Sequence, residues 1–211
     1  MAKDTQRISR VAVVVPALNE ERTIGRVVRG ARKCREIDRV IVVDDGSTDR
    51  TAIKARAAGA IVVRHRVNRG VGAALRTGFG KAVRSGCGVI VVMGADDQDS
   101  AEEIPRLLAA IRRGNDFVQG SRWIAGGRVV NIPLFRRVTT IVYSILFTLL
   151  TGRRITDGTN GFRAFRSGIL KRIDIGQKWL DTYELEPYLY YHAVVDGLRV
   201  SEVPVTKRYP G

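Results

Sequence analysis

Val89-Ile90-Val91-Val92-Met93-Gly94-Ala95-Asp96-Asp97-Gln98-Asp99 is an apolar run of five residues that opens onto three carboxylates within four positions. The run is too short for a typical helix and rich in β-branched side chains, so it reads as a buried strand. Acids this close repel one another, and a cation is expected to hold them. A hard divalent ion, Mg or Mn, suits a set of carboxylates and a carboxamide with no His or Cys nearby. Mg takes one or two protein carboxylates and fills the rest of its shell from substrate phosphates. The same residues also read as the start of a helix. Ser100-Ala101-Glu102-Glu103 has the form of a capping box, and acids are common near a helix N-terminus.

Outward from this stretch the pattern repeats. Val11 to Val15 is an apolar strand ended by Pro16, and Asn19 can cap a helix from about Glu20 to Cys34. Val40 to Val43 runs into Asp44-Asp45-Gly46-Ser47, with a helix from about Asp49 to Ala58 and a short strand from Ala60 to Val63. Gly70 to Ser85 and Ala101 to Arg113 are helical in pattern, and Phe117 to Gly120 is a further strand. This alternation predicts an α/β domain with a mostly parallel sheet and helices on both faces. Ligands of such sheets bind beyond the carboxyl ends of the strands. Pro16-Ala17-Leu18-Asn19-Glu20, Asp44-Asp45-Gly46-Ser47 and Asp96-Asp97-Gln98-Asp99 all fall there, and their convergence favours a site over a simple helix start.

The second half is less regular. Gly126-Gly127 reads as a hinge, and Gly158-Thr159-Asn160-Gly161 as a turn before Phe162-Arg163-Ala164-Phe165. Thr182 to Val195 reads as a helix closed by Gly197, and Val200 to Val205, which contains Pro204, as an edge strand. Arg136 to Leu150 reads as a helix whose apolar run, Val138 to Leu150, has thirteen residues and is too short to span a bilayer. Flanked by Arg136-Arg137 and Arg153-Arg154, it can lie in a membrane interface against anionic headgroups, or form a core helix.

With 211 residues the chain is expected to form one domain, residues 1–211. Its 36 Lys and Arg against 21 Asp and Glu, a net +15, call for a polyanionic partner. The charge is segregated: Arg122 to Arg172 holds ten basic residues and one acid, Asp157, whereas Asp96 to Glu103 holds five acids and no base. A nucleic-acid coat would be more uniform, no nucleic-acid-binding motif is present, and nucleic acid is not expected as a partner. Cys34 and Cys87 form no CxxC and suggest structural thiols in a reducing, cytosolic setting. Met1 to Arg10 lacks the apolar core of a signal peptide. His65 and His192 read as structural, and Trp123, Trp179, Tyr183, Tyr188, Tyr190 and Tyr191 as packing residues.

Several elements together resemble the family 2 glycosyltransferases of the GT-A fold, within them the dolichol- and polyprenyl-phosphate sugar transferases. They are Val14-Val15-Pro16-Ala17-Leu18-Asn19-Glu20, Val42-Val43-Asp44-Asp45-Gly46-Ser47-Thr48-Asp49, Asn68-Arg69-Gly70 and Gly94-Ala95-Asp96-Asp97-Gln98. Gly120-Ser121-Arg122, Asn160-Gly161-Phe162-Arg163 and Glu202-Val203-Pro204-Val205 follow in family order. The resemblance implies a Rossmann-like sheet with a nucleotide-sugar half at about 9–121 and an acceptor half at about 122–211. It implies donor contacts from Pro16, Ala17, Leu18, Glu20, Asp44, Asp45, Gly72 and Asp96, and a metal, Mg or Mn, on Asp96, Gln98 and Asp99. Gly94 stands where many relatives carry the first Asp of the metal motif, with Asp97 or Asp99 as possible replacements. Arg122, Arg136, Arg137, Thr140 and Arg163 are the implied acceptor-phosphate contacts, Arg being suited to grip phosphate bidentately.

The implied reaction is an inverting displacement that moves a hexose from a UDP- or GDP-type nucleotide-sugar to a polyprenyl phosphate. Asp96, Arg122 and Asp157 are the implied catalytic groups. A phosphate acceptor is already anionic and needs no base; a saccharide or small-molecule hydroxyl would need one, Asp157 or Glu184. The implied location is the cytoplasmic side, peripheral at the inner membrane face. A nicotinamide dehydrogenase would carry its Gly-rich turn after the first strand, where Pro16-Ala17-Leu18-Asn19 stands. A nucleotidyltransferase would carry a glycine- and Lys/Arg-rich loop there.

Overall fold

The computed structural model describes residues 10–209. β1 (Val11–Ala17), β2 (Arg39–Asp44), β3 (Ile61–Arg64) and β4 (Val89–Val92) alternate with α1 (Ile24–Lys33), α2 (Thr51–Ala57) and α3 (Val71–Arg84). A 3-10 turn (Ala101–Glu103), α4 (Ile104–Arg112) and β5 (Phe117–Ser121) follow. The second half contributes β6 (Arg128–Val130), α5 (Leu134–Thr151), β7 (Arg163–Arg166), α6 (Leu185–Val195), β8 (Val200–Pro204) and β9 (Thr206–Arg208).

Seven strands form one sheet in the order β3-β2-β1-β4-β7-β5-β8, and β6 pairs with β9 in a separate ribbon. All pairings in the large sheet are parallel except those of β7, which runs antiparallel between β4 and β5. The apolar runs are explained by burial on both faces: Val11, Val13 and Val15 of β1 enter one core layer, Ala12 and Val14 the other. α1 closes the first layer with Ile24, Val27, Val28 and Ala31, an i, i+3, i+4, i+7 stripe. β8 is one of the two edge strands, with Pro204 at its last pairing, opposite Ser121.

Two expected helix caps do not form. Asn19 takes a left-handed φ of 55° and accepts the Thr48 N–H at 2.9 Å, so it ties the first two loops together while α1 begins only at Ile24. Glu103 does not reach back to Ser100; its carboxylate accepts the Thr206 N–H at 2.8 Å and hydroxyl at 3.1 Å, and the capping box gives way to a 3-10 turn. Gly126-Gly127 forms a turn, with the Gly127 N–H donating to the Ile124 carbonyl, that leads into β6.

α5 corrects the thirteen-residue estimate. It has 18 residues, about 27 Å at 1.5 Å per residue, and by length and composition alone could cross a membrane. It is not a core helix: Thr140, Ser144 and Phe147 are its buried residues, while Leu134, Phe135, Leu149 and Leu150 are each over 70% exposed.

Candidate active site

A cleft of about 630 Å³ lies at the carboxyl ends of β1, β2 and β4. The end of β1 and the loop after it supply Pro16, Ala17, Leu18 and Glu20 to its wall. This loop is bound to the next one: Asn19 N–H donates to Ser47 Oγ at 2.9 Å and Glu20 N–H to Thr51 Oγ1 at 2.8 Å.

The two acids at the end of β2 divide their work. Asp45 lines the cleft and accepts the N–H groups of Arg69 and Gly70 at 3.0 and 2.8 Å. His65 Nδ1 lies 2.6 Å from the same carboxylate, and its Nε2 lies 2.9 Å from Thr77 Oγ1, so the ring links Asp45 to α3. Asp44, expected to touch the donor, is instead fully buried; it accepts the Ser47 N–H at 2.9 Å and faces Arg64 Nε at 3.0 Å, holding the turn. Gly72 is corrected likewise. A Cβ there would stand 2.0 Å from the Leu180 carbonyl oxygen, so the glycine permits close packing of α3 rather than ligand contact. Gly46 is required at φ +81°, where any Cβ would meet the backbone of Val67 and Asn68 at 2.6 Å.

Of the acidic loop after β4, Asp96 faces the cleft, its Oδ1 accepting only the Gln98 N–H at 3.1 Å. Asp97, at φ 62°, turns away and pairs with Arg26 at 2.8 Å. Asp99 is buried and committed on both oxygens, to the Gly94 N–H at 3.0 Å and to Lys207 Nζ at 2.8 Å. Neither acid replaces the carboxylate missing at Gly94, and Asp99 is a lysine's counter-ion before it is a metal ligand. Burial works against charge on Lys207, but Asp99 and Asp96 together hold the ammonium above the ordinary lysine range. No cluster of three or more His, Cys, Asp or Glu forms among the described residues. With Asp96 the carboxylate of this loop that lines the cleft without a cationic partner among the described residues, the donor set fits a hard divalent ion only in a substrate-assisted form, completed by oxygens from a bound diphosphate.

The basic residues sort in the same way. Arg122 is buried against Asp157, with Nε and Nη2 each 2.7 Å from its carboxylate; Nη1 donates to Tyr209 Oη and Nη2 also to Thr159 Oγ1, both at 2.6 Å. Four of its five N–H donors are thus engaged, leaving one. Burial opposes the charge, yet the hydrogen bonds and charge of Asp157 raise the guanidinium's pKa. Asp157, fully buried and accepting three N–H groups of Arg122, is a counter-ion and not an available base. Arg136 lies over the Tyr209 ring at 5.4 Å and Arg137 over Trp123 at 5.9 Å, both exposed at the start of α5. Thr140 donates its hydroxyl to the Arg137 carbonyl within the helix. Arg163 is placed differently from the expectation: 2% exposed, it donates to the carbonyls of Asn160, Gly161 and Glu186 and lies 3.3 Å from the Glu186 carboxylate, so burial and these partners hold it within the domain.

The sequence reading passed over Lys207, Tyr209 and Glu186. The first two stand on or beside β9, brought to the site by long-range strand pairing that no local spacing reveals. Glu186 lines the cleft, with its carboxylate 3.3 Å from Arg163. Tyr183, read as packing, is 80% exposed and stands at the cleft's edge.

This strand order, with an acidic loop after the fourth strand facing a cleft across the first two, defines the GT-A class of nucleotide-diphospho-sugar transferases. The Glycosyl transferase family 2 model matches residues 12–174, and the chain belongs to that family; it is a glycosyltransferase. It is 35% identical over 204 residues to the polyprenol monophosphomannose synthase of Mycolicibacterium smegmatis, spanning 93% of this chain and 77% of that protein. The undecaprenyl-phosphate mannosyltransferase of Micrococcus luteus is 33% identical over 202 residues, 93% of this chain and 83% of the relative. Among solved structures, glucosyl-3-phosphoglycerate synthase from Mycobacterium tuberculosis in complex with phosphoglyceric acid superposes with a TM-score of 0.76 at 25% identity, covering 96% of this chain and 72% of that one. A second structure of that enzyme, with Mn2+, uridine-diphosphate and glucosyl-3-phosphoglycerate, gives a TM-score of 0.74 at 24% identity, covering 96% and 73%, a likeness of fold.

Proposed function

We propose that this glycosyltransferase moves a hexose from a UDP- or GDP-type nucleotide-sugar to a polyprenyl phosphate, with inversion, at the cytoplasmic face of a membrane. The observation that carries the reading is the arrangement of α5. Its exposed apolar side chains begin beside Arg136 and Arg137, and Tyr209 joins Arg136 to Arg122 at the inner end of the same basic path. A lipid phosphate matches both parts, an apolar tail for the helix and an anion for the arginines. α5 is packed along one face, Phe147 against Tyr190 and Tyr191 and Ser144 against the Gly158 N–H. A helix so attached to the domain lies in the interface rather than crossing it. Arg153 and Arg154 beyond its far end add charge for anionic headgroups. The free thiols Cys34 and Cys87 suit a reducing compartment.

In this reading Pro16, Leu18, Glu20 and Asp45 hold the nucleoside, and Asp45 is kept in place by His65 and by the backbone of Arg69 and Gly70. Mg or Mn, when bound, supplies charge neutralisation to the departing diphosphate. Asp96, which lines the cleft, would hold it, with Gln98 two residues on as the implied second ligand, and Lys207 adds a fixed positive charge on the same side. Arg136 and Arg137 draw in the acceptor phosphate, and Arg122, immobilised by Asp157, presents its last N–H. The phosphate oxygen attacks the anomeric carbon unaided by a base. Of the two bases a hydroxyl acceptor could use, Asp157 is paired with Arg122, and Glu184 is exposed and accepts the Thr182 hydroxyl, so a hydroxyl acceptor would depend on Glu184.

The test is nucleotide release from UDP-, GDP- and dTDP-sugars with and without polyprenyl phosphate. Release that requires the lipid, with sugar recovered on it, is the expected result; release indifferent to the lipid overturns the acceptor. Asp96→Ala is expected to lower turnover at least about 100-fold, and near wild-type activity would remove Asp96 from the site. Binding to vesicles of anionic lipid, reduced by Leu149→Ser/Leu150→Ser, checks the interfacial role of α5.

A further inference from the structure

We infer that Lys207 is a resident cation at the diphosphate end of the cleft, taking over part of the work that a divalent ion on Asp96 would do. The inference rests on reading this cleft as a nucleoside-diphosphate site. Three observations carry it.

The first is position. Lys207 lines the cleft with Asp96 and Asp99, and its ammonium bonds Asp99 at 2.8 Å. The second is fixation. A surface lysine spends rotamer entropy to hold any contact, but this one is preordered. β9 is paired with β6, with Lys207 opposite Val129, and is bridged to the acidic loop, with Asp99 opposite Lys207 and the Arg208 N–H donating to the Gln98 carbonyl at 3.0 Å. The Lys207 side chain is 13% exposed and that of Asp99 1%. The third is the vacancy in the sequence. Position 94 has no carboxylate; its backbone N–H takes the second oxygen of Asp99 at 3.0 Å, and a Cβ there would stand 2.9 Å from Asp96 Oδ1 and 3.3 Å from Asp99 Oδ2, so the glycine leaves both carboxylates room in their present positions.

Electrostatics then set the division of labour. With Asp97 paired to Arg26 and Asp99 to Lys207, Asp96 is the one carboxylate of this loop without a cationic partner among the described residues. A divalent ion on Asp96 would stand beside a fixed ammonium that repels it and withholds Asp99 from it, and would need oxygens of a bound diphosphate to complete its ligands. The same ammonium attracts the diphosphate whether or not the ion is there. Metal binding is therefore coupled to nucleotide binding, and nucleotide binding is partly independent of metal.

Two measurements test this on the purified chain. Binding of Mn2+ alone, followed by the loss of its free paramagnetic signal, needs no substrate. Wild type should bind weakly, and Lys207→Met, which frees Asp99, should bind at least about 10-fold more tightly. Binding of UDP and of GDP is then measured by calorimetry, with Mg2+ and with chelator. For whichever nucleotide binds, wild type should keep its affinity in chelator to within about 10-fold, whereas Lys207→Met should lose at least about 30-fold there and much less in Mg2+. Asp99→Asn/Lys207→Met removes both charges and guards against a misfolded single variant; it should show the nucleotide loss without the Mn2+ gain. Equal Mn2+ affinity in wild type and Lys207→Met, or nucleotide binding abolished by chelator in wild type, overturns the inference. If neither nucleotide binds under any condition, the underlying reading of the cleft fails, and the Mn2+ comparison still decides whether Lys207 occupies a cation's place.

Discussion

Asp157→Asn separates a structural carboxylate from a catalytic one. The wild-type group is fully buried and accepts the Arg122 N–H at 3.0 Å, Nε at 2.7 Å and Nη2 at 2.7 Å. Asparagine preserves the shape and one accepting oxygen but strands the guanidinium without its counter-charge. Breaking a buried ion pair from one side costs about 3–5 kcal/mol. For a chain of this size 1 kcal/mol moves Tm by about 2–4 °C, which gives a fall of about 6–20 °C. Arg122→Met/Asp157→Asn removes the stranded charge while leaving an acceptor for the backbone N–H, and should recover to within about 2 kcal/mol of wild type. The assay is thermal and denaturant unfolding beside turnover. A midpoint for Asp157→Asn within about 2 °C of wild type, with turnover lost, would refute the reasoning. It would show a carboxylate working as a base and not bound to Arg122.

Arg136→Ala should raise the KM for polyprenyl phosphate about 10-fold or more while leaving donor affinity unchanged; titrating each substrate against the other separates the two, and a change confined to the donor contradicts its placement. Gly72→Ala forces a methyl into the Leu180 and Thr182 carbonyls and should destabilise by about 1–3 kcal/mol in urea unfolding; an unchanged midpoint would mean that the 180–182 segment moves freely. Burial raises the pKa of the Cys87 thiol, so the folded chain keeps a proton that the unfolded chain gives up as pH rises through the ordinary value of 9.0. Stability should therefore fall with rising pH above about 9, and less steeply in Cys87→Ala; parallel urea midpoints for the two would count against a desolvated thiol.

The first half of the fold could be read from sequence because each strand there is buried on both faces and followed by its own helix, so periodicity alone separates β2 from α2 or β4 from α4. The ends of these elements were less legible. Asn19 and Glu103 have the chemistry of caps, but both side chains found partners from other loops, Thr48 and Thr206, and local preference gave way to tertiary contact. Among site residues, the wall formed by Pro16, Leu18, Glu20, Asp45 and Asp96 followed from the strand-end rule. The arginines could not be sorted that way. Arg163 and Arg136 look alike in sequence, and only burial beside the carbonyls of Asn160, Gly161 and Glu186 shows that one is held inside the domain. Lys207 carries no local signal at all, because its partner Asp99 lies 108 residues away.

The antiparallel insertion of β7 has a consequence for how the chain folds. β4 has β1 on one side, but its other side is completed only by residues 163–166, and β5 finds its neighbours only in β7 and β8. A chain growing from its N-terminus therefore carries an open strand edge at β4, flanked by apolar surface, until residue 166 has emerged. Such late, non-local closure slows folding and invites edge-to-edge association while it lasts. The first half of the sheet is thus assembled early in synthesis but sealed late, by a segment from the second half of the chain.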